Sequence, residues 1–325
     1  MIRTWLIDAG GELHTRELAV PALEDDRVLV EVQGAVAGAR ELAALREAPG
    51  VVPGGAAVGV VVDTGDAATQ LAGKRVLVTP LMPCGECDAC RRGAAAACPR
   101  GQRLGHTANG TLASHVVARG RWLLPLQDRL DVPGPAAAML GGHAATAYAA
   151  FARAGVSPGE PVVIVGDNTI ARFTAQIATA KGAHPFLAGA ASGDAAETVE
   201  QQIETAGHVG KPRRIFETSA HADERRLALS LANPGATVAM LSRDAAGAAG
   251  PDADVQTHGW LAQHAAVLGI AGAHPDFAAE VVALAVRDQL DLTTSTQLVT
   301  PEQLPNVAAT AAETGPVPIL DLRPR

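Results

Sequence analysis

The chain has 325 residues, 48% of them hydrophobic, with 34 glycines, 21 prolines and a formal net charge of −8. That is apolar material for about two cores of ordinary domain size, while the acidic balance without a long basic run excludes a backbone-phosphate surface for nucleic acid. With 3 Trp, 1 Tyr and 5 Phe there is also no stock of aromatic platforms for stacking bases.

Residues 1–20 carry Arg3, Asp8, Glu12 and Arg16 and hold no apolar run long enough for a signal peptide or a membrane span. The expectation is a cytoplasmic chain with no membrane partner. Short β-branched runs at 27–33, 56–62 and 74–78, separated by Gly, Pro and Asp turns, predict a small barrel-like β domain.

All four cysteines follow together, as Cys84, Cys87, Cys90 and Cys98. Cys-x-x-Cys spacing lets two thiolates on a tight turn reach one ion, and two more complete a tetrahedron of sulfurs about 2.3 Å from Zn²⁺. A closed four-sulfur shell leaves no position for water or substrate, so this zinc, one per chain, is expected to staple a loop. Two disulfides are the alternative and would require an oxidising compartment. Arg91, Arg92, Arg100 and Arg103 either offset the negative charge of the thiolates or form a solvated face.

Beyond about residue 130 the pattern alternates. The apolar run at 161–165 reads as a buried strand and 185–188, 214–217 and 236–241 as further strands, and helical segments at 170–181, 197–205 and 224–231 fill the gaps between them. Alternation of this kind implies a parallel sheet with right-handed crossovers, the doubly wound dinucleotide-binding architecture. The strand-like run 317–322 is expected to return to the first domain.

These residues resemble the zinc-containing alcohol dehydrogenases of the medium-chain dehydrogenase/reductase superfamily, over the whole length. The four-cysteine lobe matches that family's structural zinc lobe. Further matches are the segment 53–61, the run Gly73-Lys74-Arg75-Val76, Asn109-Gly110-Thr111-Leu112-Ala113, Thr146-Ala147-Tyr148, Phe216-Glu217-Thr218-Ser219 and Pro234-Gly235-Ala236-Thr237-Val238. The resemblance implies an α/β chain of two domains. A GroES-like, β-barrel-type catalytic domain would span 1–130 with its zinc lobe at 84–98, and a doubly wound Rossmann nucleotide-binding domain would span 131–271. A segment at 272–325 would return to the first domain, and the assembly would be a homodimer or homotetramer paired through an edge at 236–241 or 266–270.

The family's alcohol chemistry uses a second, catalytic zinc with an open coordination position. Aligned on the family, the first ligand position is Ala37, the histidine position is Gly55 with Ala56 beside it, and the third is Gly142. None of these side chains can coordinate a metal. The relay positions are Ala39 and Leu42, and Arg40 stands where an acid would support the ligands.

At the cofactor turn the chain reads Gly166-Asp167-Asn168-Thr169-Ile170-Ala171 against G-x-G-x-x-G/A. By resemblance Gly166, Asn168, Thr169, Ile170, Ala171 and Thr218 would line the cofactor. Asn168 should crowd the pyrophosphate. The acid that would hold the adenosine ribose of NAD is Ala190, and no Lys or Arg follows within 191–210 to favour NADP. NAD and NADP therefore both stay open, and neither has a strong signature.

Arg40, Glu41, His143 and Tyr148 are the candidate catalytic groups near the emptied metal position. A hydrogen-bonded filler role for His143 is the bland alternative. Three functions remain for a small-molecule substrate or ligand: a zinc-independent NAD(P)H reductase of an activated C=C or C=N bond, a pseudoenzyme, and a redox-neutral enzyme that has lost dehydrogenase activity.

Overall fold

The computed structural model describes residues 1–8, 11–39, 41–42, 50–126, 134–189, 196–219, 221–241, 264–270, 272, 275–310 and 315–323. The chain divides into two compact units, one of Met1–Ala145 with Ala273–Arg325 and one of Thr146–Gly272.

In the first unit β1 (Ile2–Ile7) and β2 (Leu13–Leu18) form an antiparallel ribbon. The spine of the unit is β3 (Arg27–Val36), whose Val28, Val30 and Val32 alternate inward into the core as period-two patterning requires. It pairs antiparallel with β4 (Ala57–Thr64), which pairs in turn with β5 (Arg75–Val78). The short antiparallel pair β6 (Leu81–Met82) and β7 (Gln102–Arg103) closes off the cysteine segment, which contains the single-turn helix α1 (Asp88–Arg91). After it come β8 (His115–Arg119), on the N-terminal half of β3, and β9 (Leu124–Pro125), on β5.

Asp26 enters β3 almost buried and is gripped by Arg121 Nε, with Arg119 Nη1 at 3.7 Å. The two arginines lie at and just after the end of β8, so this cluster fixes where β3 and β8 begin to pair. Asp26→Ala is expected to cost about 1–2 kcal/mol, because one partner is withdrawn from water and the other is half exposed. Chemical denaturation measures it.

The second unit starts within α2 (Ala145–Ala154) and is built on a parallel sheet. Its strands are β10 (Pro161–Val165), β11 (His184–Ala188), β12 (Arg214–Glu217), β13 (Thr237–Met240) and β14 (Ala266–Gly269), in spatial order β11-β10-β12-β13-β14. Val162, Val163, Ile164 and Val165 are fully buried, as expected for a central parallel strand covered on both faces. Among the described residues the strands are linked by α3 (Thr169–Ala180), α4 (Ala196–Thr205) and α5 (Ala222–Ser230). In α3, Ile170, Phe173, Thr174 and Ile177 are buried at the i, i+3, i+4, i+7 spacing of one helical face. The strand order reverses direction around β10, so its carboxyl end is the topological switch point of the sheet. Of the two strands read as edge candidates, β13 is interior and β14 is the edge, with Val267 40% exposed.

The chain then returns to the first unit through α6 (Pro275–Val286), β15 (Thr296–Val299), α7 (Leu304–Thr310) and β16 (Val317–Asp321). β16 runs antiparallel to the C-terminal half of β3, continuing the edge that β8 occupies further up.

Candidate functional site

In the loop between β6 and β7, Gly85 takes φ +81, which turns the backbone so that Cys87 N–H points at Cys84 Sγ, 3.4 Å away. Cys84 N–H points likewise at Cys98 Sγ, at 3.3 Å. The four sulfurs all lie within 4.8 Å of one another, with separations of 3.5 Å for Cys87–Cys90, 3.7 Å for Cys87–Cys98 and 3.9 Å for Cys84–Cys90. A tetrahedron with Zn–S of about 2.3 Å requires S···S of about 3.8 Å. A disulfide would require about 2.05 Å. The donor set and its spacing therefore fit a structural Zn²⁺, and all four cysteines are free thiols.

The backbone N–H of Glu86 holds the Cys84 thiol down to about 6, whereas desolvation pushes Cys90 up to about 12. Among the flanking arginines, the Arg100 guanidinium is held more firmly protonated by the Cys84 sulfur, and it also bridges Glu86 at 3.0 Å. Arg92 instead pairs with Asp88 across one helical turn. Trp122 Nε1–H donates to Pro83 O at 2.8 Å and closes the lobe against the loop after β8.

Where the family's catalytic ligands would stand, the first unit presents hydrogen and methyl. Ala37 is fully buried just past β3, its N–H donating to Pro318 O at 2.9 Å. Gly55 and Ala56 are buried before β4. Gly142 lies in the π-turn Leu140–Ala144, and a Cβ placed on it would be 3.2 Å from Ala56 Cβ. A Cβ at residue 55 would be 2.8 Å from Pro80 Cβ, closer than real contacts allow. Residues 56 and 142 thus come together, and Pro80 stands against residue 55.

Of the candidate catalytic residues, Arg40 lies outside the described residues, as does Ala190. Glu41 is half-buried with Oε2 3.1 Å from where a Cβ of Gly38 would be. His143 is half-buried on the π-turn, and both it and Glu41 are engaged rather than free. Tyr148, five residues on in the second unit, carries Lys181 Nζ over its ring at 5.1 Å. That cation–π contact ties the tyrosine to the end of α3.

The cofactor candidates come together at the carboxyl end of β10. Gly166 has φ +119, and a Cβ there would collide with Thr218 Oγ1. Thr218 donates both its N–H and its hydroxyl to Val165 O, at 3.0 and 2.9 Å, which locks β12 to the turn. Asn168 caps α3: its Oδ1 accepts from Ala171 N–H at 3.0 Å and its Nδ2 donates to Thr218 O at 2.6 Å. The expected crowding by Asn168 thus takes another form. The amide folds inward and consumes one of the helix N–H donors an anion would use. The strand-turn-helix frame at the N-terminus of α3 fits a dinucleotide. Sequence reading did not single out Pro80, which fills the histidine position, or Glu224, whose Oε2 is 3.4 Å from the point a Cβ of Gly166 would occupy.

A family model described as alcohol dehydrogenase GroES-like domain matches residues 24–128. An alcohol dehydrogenase of Rhizobium meliloti (strain 1021) is 32% identical over 183 residues, which is 54% of this chain and 53% of that protein. The chain spans about half the length of the curated relatives it matches. Alcohol dehydrogenase TADH from Thermus sp. ATN1 has a TM-score of 0.83 at 20% identity, covering 99% of this chain and 100% of that one. A Sinorhizobium meliloti 1021 protein solved with bound NADP has a TM-score of 0.81 at 20% identity, covering 99% of each chain. At that identity the structural likeness carries the fold alone.

Proposed function

We propose that the chain is a member of the zinc-type medium-chain dehydrogenase/reductase family, whose GroES-like domain model matches residues 24–128, and an alcohol-dehydrogenase-like oxidoreductase without a catalytic zinc, reducing an activated C=C or C=N bond with NADH or NADPH. One observation carries the reading: Ala37, Gly55, Ala56 and Gly142 offer no donor atom, and Pro80 closes the space a histidine at residue 55 would need. An acceptor already polarised by its own substituents needs no Lewis acid to take a hydride, which is the chemistry that a bound nicotinamide supplies. Gly166, Thr169 and Ile170 would hold the pyrophosphate, and Thr218 keeps the turn in shape by bonding Val165 O. His143, on the turn that carries Gly142, is a side chain able to act as an acid or base. The cysteine cage holds one structural zinc and takes no part in the reaction.

A pseudoenzyme or redox-neutral enzyme on the same scaffold is the second reading. It is favoured by Asn168, which takes the Ala171 N–H for itself. We also propose a cytoplasmic homodimer joined along β14, since it is the outermost strand of the sheet among the described residues and an edge with apolar side chains invites a second strand.

The test pairs metal analysis with turnover. One zinc per chain is expected, with oxidation of NADH or NADPH by activated enones or imines and none of simple alcohols with NAD or NADP. Two zincs per chain with alcohol oxidation would overturn the proposal, and failure of both nucleotides to bind transfers it to the second reading.

A further inference from the structure

Two acids stand in the first turn of α5, and they differ in fate. Asp223 points outward and pairs with Arg226. Glu224 turns inward: it is 9% exposed, and among the described residues it has no hydrogen bond and no ion pair. Its Oε2 lies against Gly166, the residue at which β10 turns into α3. Glu224 stands in the first turn of α5, where the positive end of the helix favours a carboxylate.

The same place is where a phosphate would approach the frame. Arg172, in the first turns of α3, is directed to the exposed Asp167 at 3.6 Å, and Asn168 has spent its amide on Ala171 and Thr218. A bound pyrophosphate would set its negative charges beside the carboxylate of Glu224, a residue 9% exposed, where water screens only in part.

We propose that Glu224 is a specificity-determining residue that disfavours anionic ligands at the β10–α3 turn. It lowers the affinity for a dinucleotide pyrophosphate and leaves the site better suited to neutral or cationic groups. The inference rests on the reading that this turn is where a dinucleotide sits. It does not require that turnover follow.

Glu224→Gln keeps the shape and removes the charge, and Glu224→Ala removes both. Asp223→Asn, three-quarters exposed on the same turn, controls for the net charge of the chain. Each full-length chain is titrated with NADH and with NADPH by calorimetry, with melting temperature as the check on folding. Both Glu224 variants are expected to bind about tenfold tighter or more than the wild type, and Asp223→Asn within about threefold of it. Equal Kd in the wild type and in folded Glu224→Gln overturns the selector and leaves the reductase reading standing. Binding by the variants alone keeps the selector and removes the reductase reading. Binding by none of them removes both. Equal gains in Asp223→Asn and Glu224→Gln also overturn the selector, since the effect would then be one of overall charge.

Discussion

A Cys90→Ser chain is expected to lose its metal and to melt about 10 °C or more below the wild type, and removing the metal from the unaltered protein with a strong chelator should do the same. The reason lies in how little else holds the segment between β6 and β7. Its helix α1 is one turn long, far short of what stands alone in water, and Ala95 is the only fully buried apolar side chain described between Cys84 and Cys98. The order of the loop must come from the four sulfurs and the backbone N–H groups of Cys84 and Cys87 aimed at them. With three ligands the remaining thiolates share a cavity sized for an ion that is held less tightly. The loop then loosens together with its contact to Trp122. A cost of about 3–5 kcal/mol is large against the stability of an ordinary domain. Metal content by plasma emission and melting by circular dichroism check it. A Cys90→Ser protein that keeps its full zinc and its melting temperature would mean that the cage is not what orders this lobe.

How far these features could be read from the chain depends on whether a short stretch determines them. The cage is written in local spacing, and the sulfurs lie where that spacing puts them. The central strand β10 was legible because Val162, Val163, Ile164 and Val165 are buried on both faces, and a run without alternation has no other soluble explanation. Thr169–Ala180 fell within one residue of the helix read at 170–181. By contrast, Gly55 and Pro80 are far apart in sequence, and only the β4–β5 pairing and the chain beyond it bring the proline over the glycine. Glu224 was illegible for another reason. An acid in the first turn of a helix is what the helix dipole ordinarily selects, and nothing in Ala222-Asp223-Glu224 says which of the two carboxylates turns inward. Asn168 was visible as a departure from glycine, but its role as a cap required the positions of Ala171 and Thr218.

Introducing metal ligands at residues 37, 55 and 142 is expected to fail, and the failure should be structural before it is chemical. Gly55→His puts a Cβ 2.8 Å from Pro80 Cβ, and both residues are held by backbone rather than by a flexible tip: Pro80 is a ring, and its carbonyl accepts from Leu104 N–H at 2.9 Å. The neighbouring Gly54 has φ +95 and is tied to Thr111 N–H through its carbonyl, so the segment cannot slide aside without breaking that bond. Overpacking at such a point costs about 3 kcal/mol, and the imidazole that results has no cavity to reach into. Adding Ala37→Cys and Gly142→Cys does not repair this, because a Cβ on residue 142 is already 3.2 Å from Ala56 Cβ and Ala37 has no free surface. The triple variant is therefore expected to fold less stably than the wild type and still to carry one zinc per chain. Recovery of a second equivalent at undiminished stability would show that Pro80 yields to a side chain at residue 55. Alcohol oxidation would then be within reach of this scaffold by three substitutions.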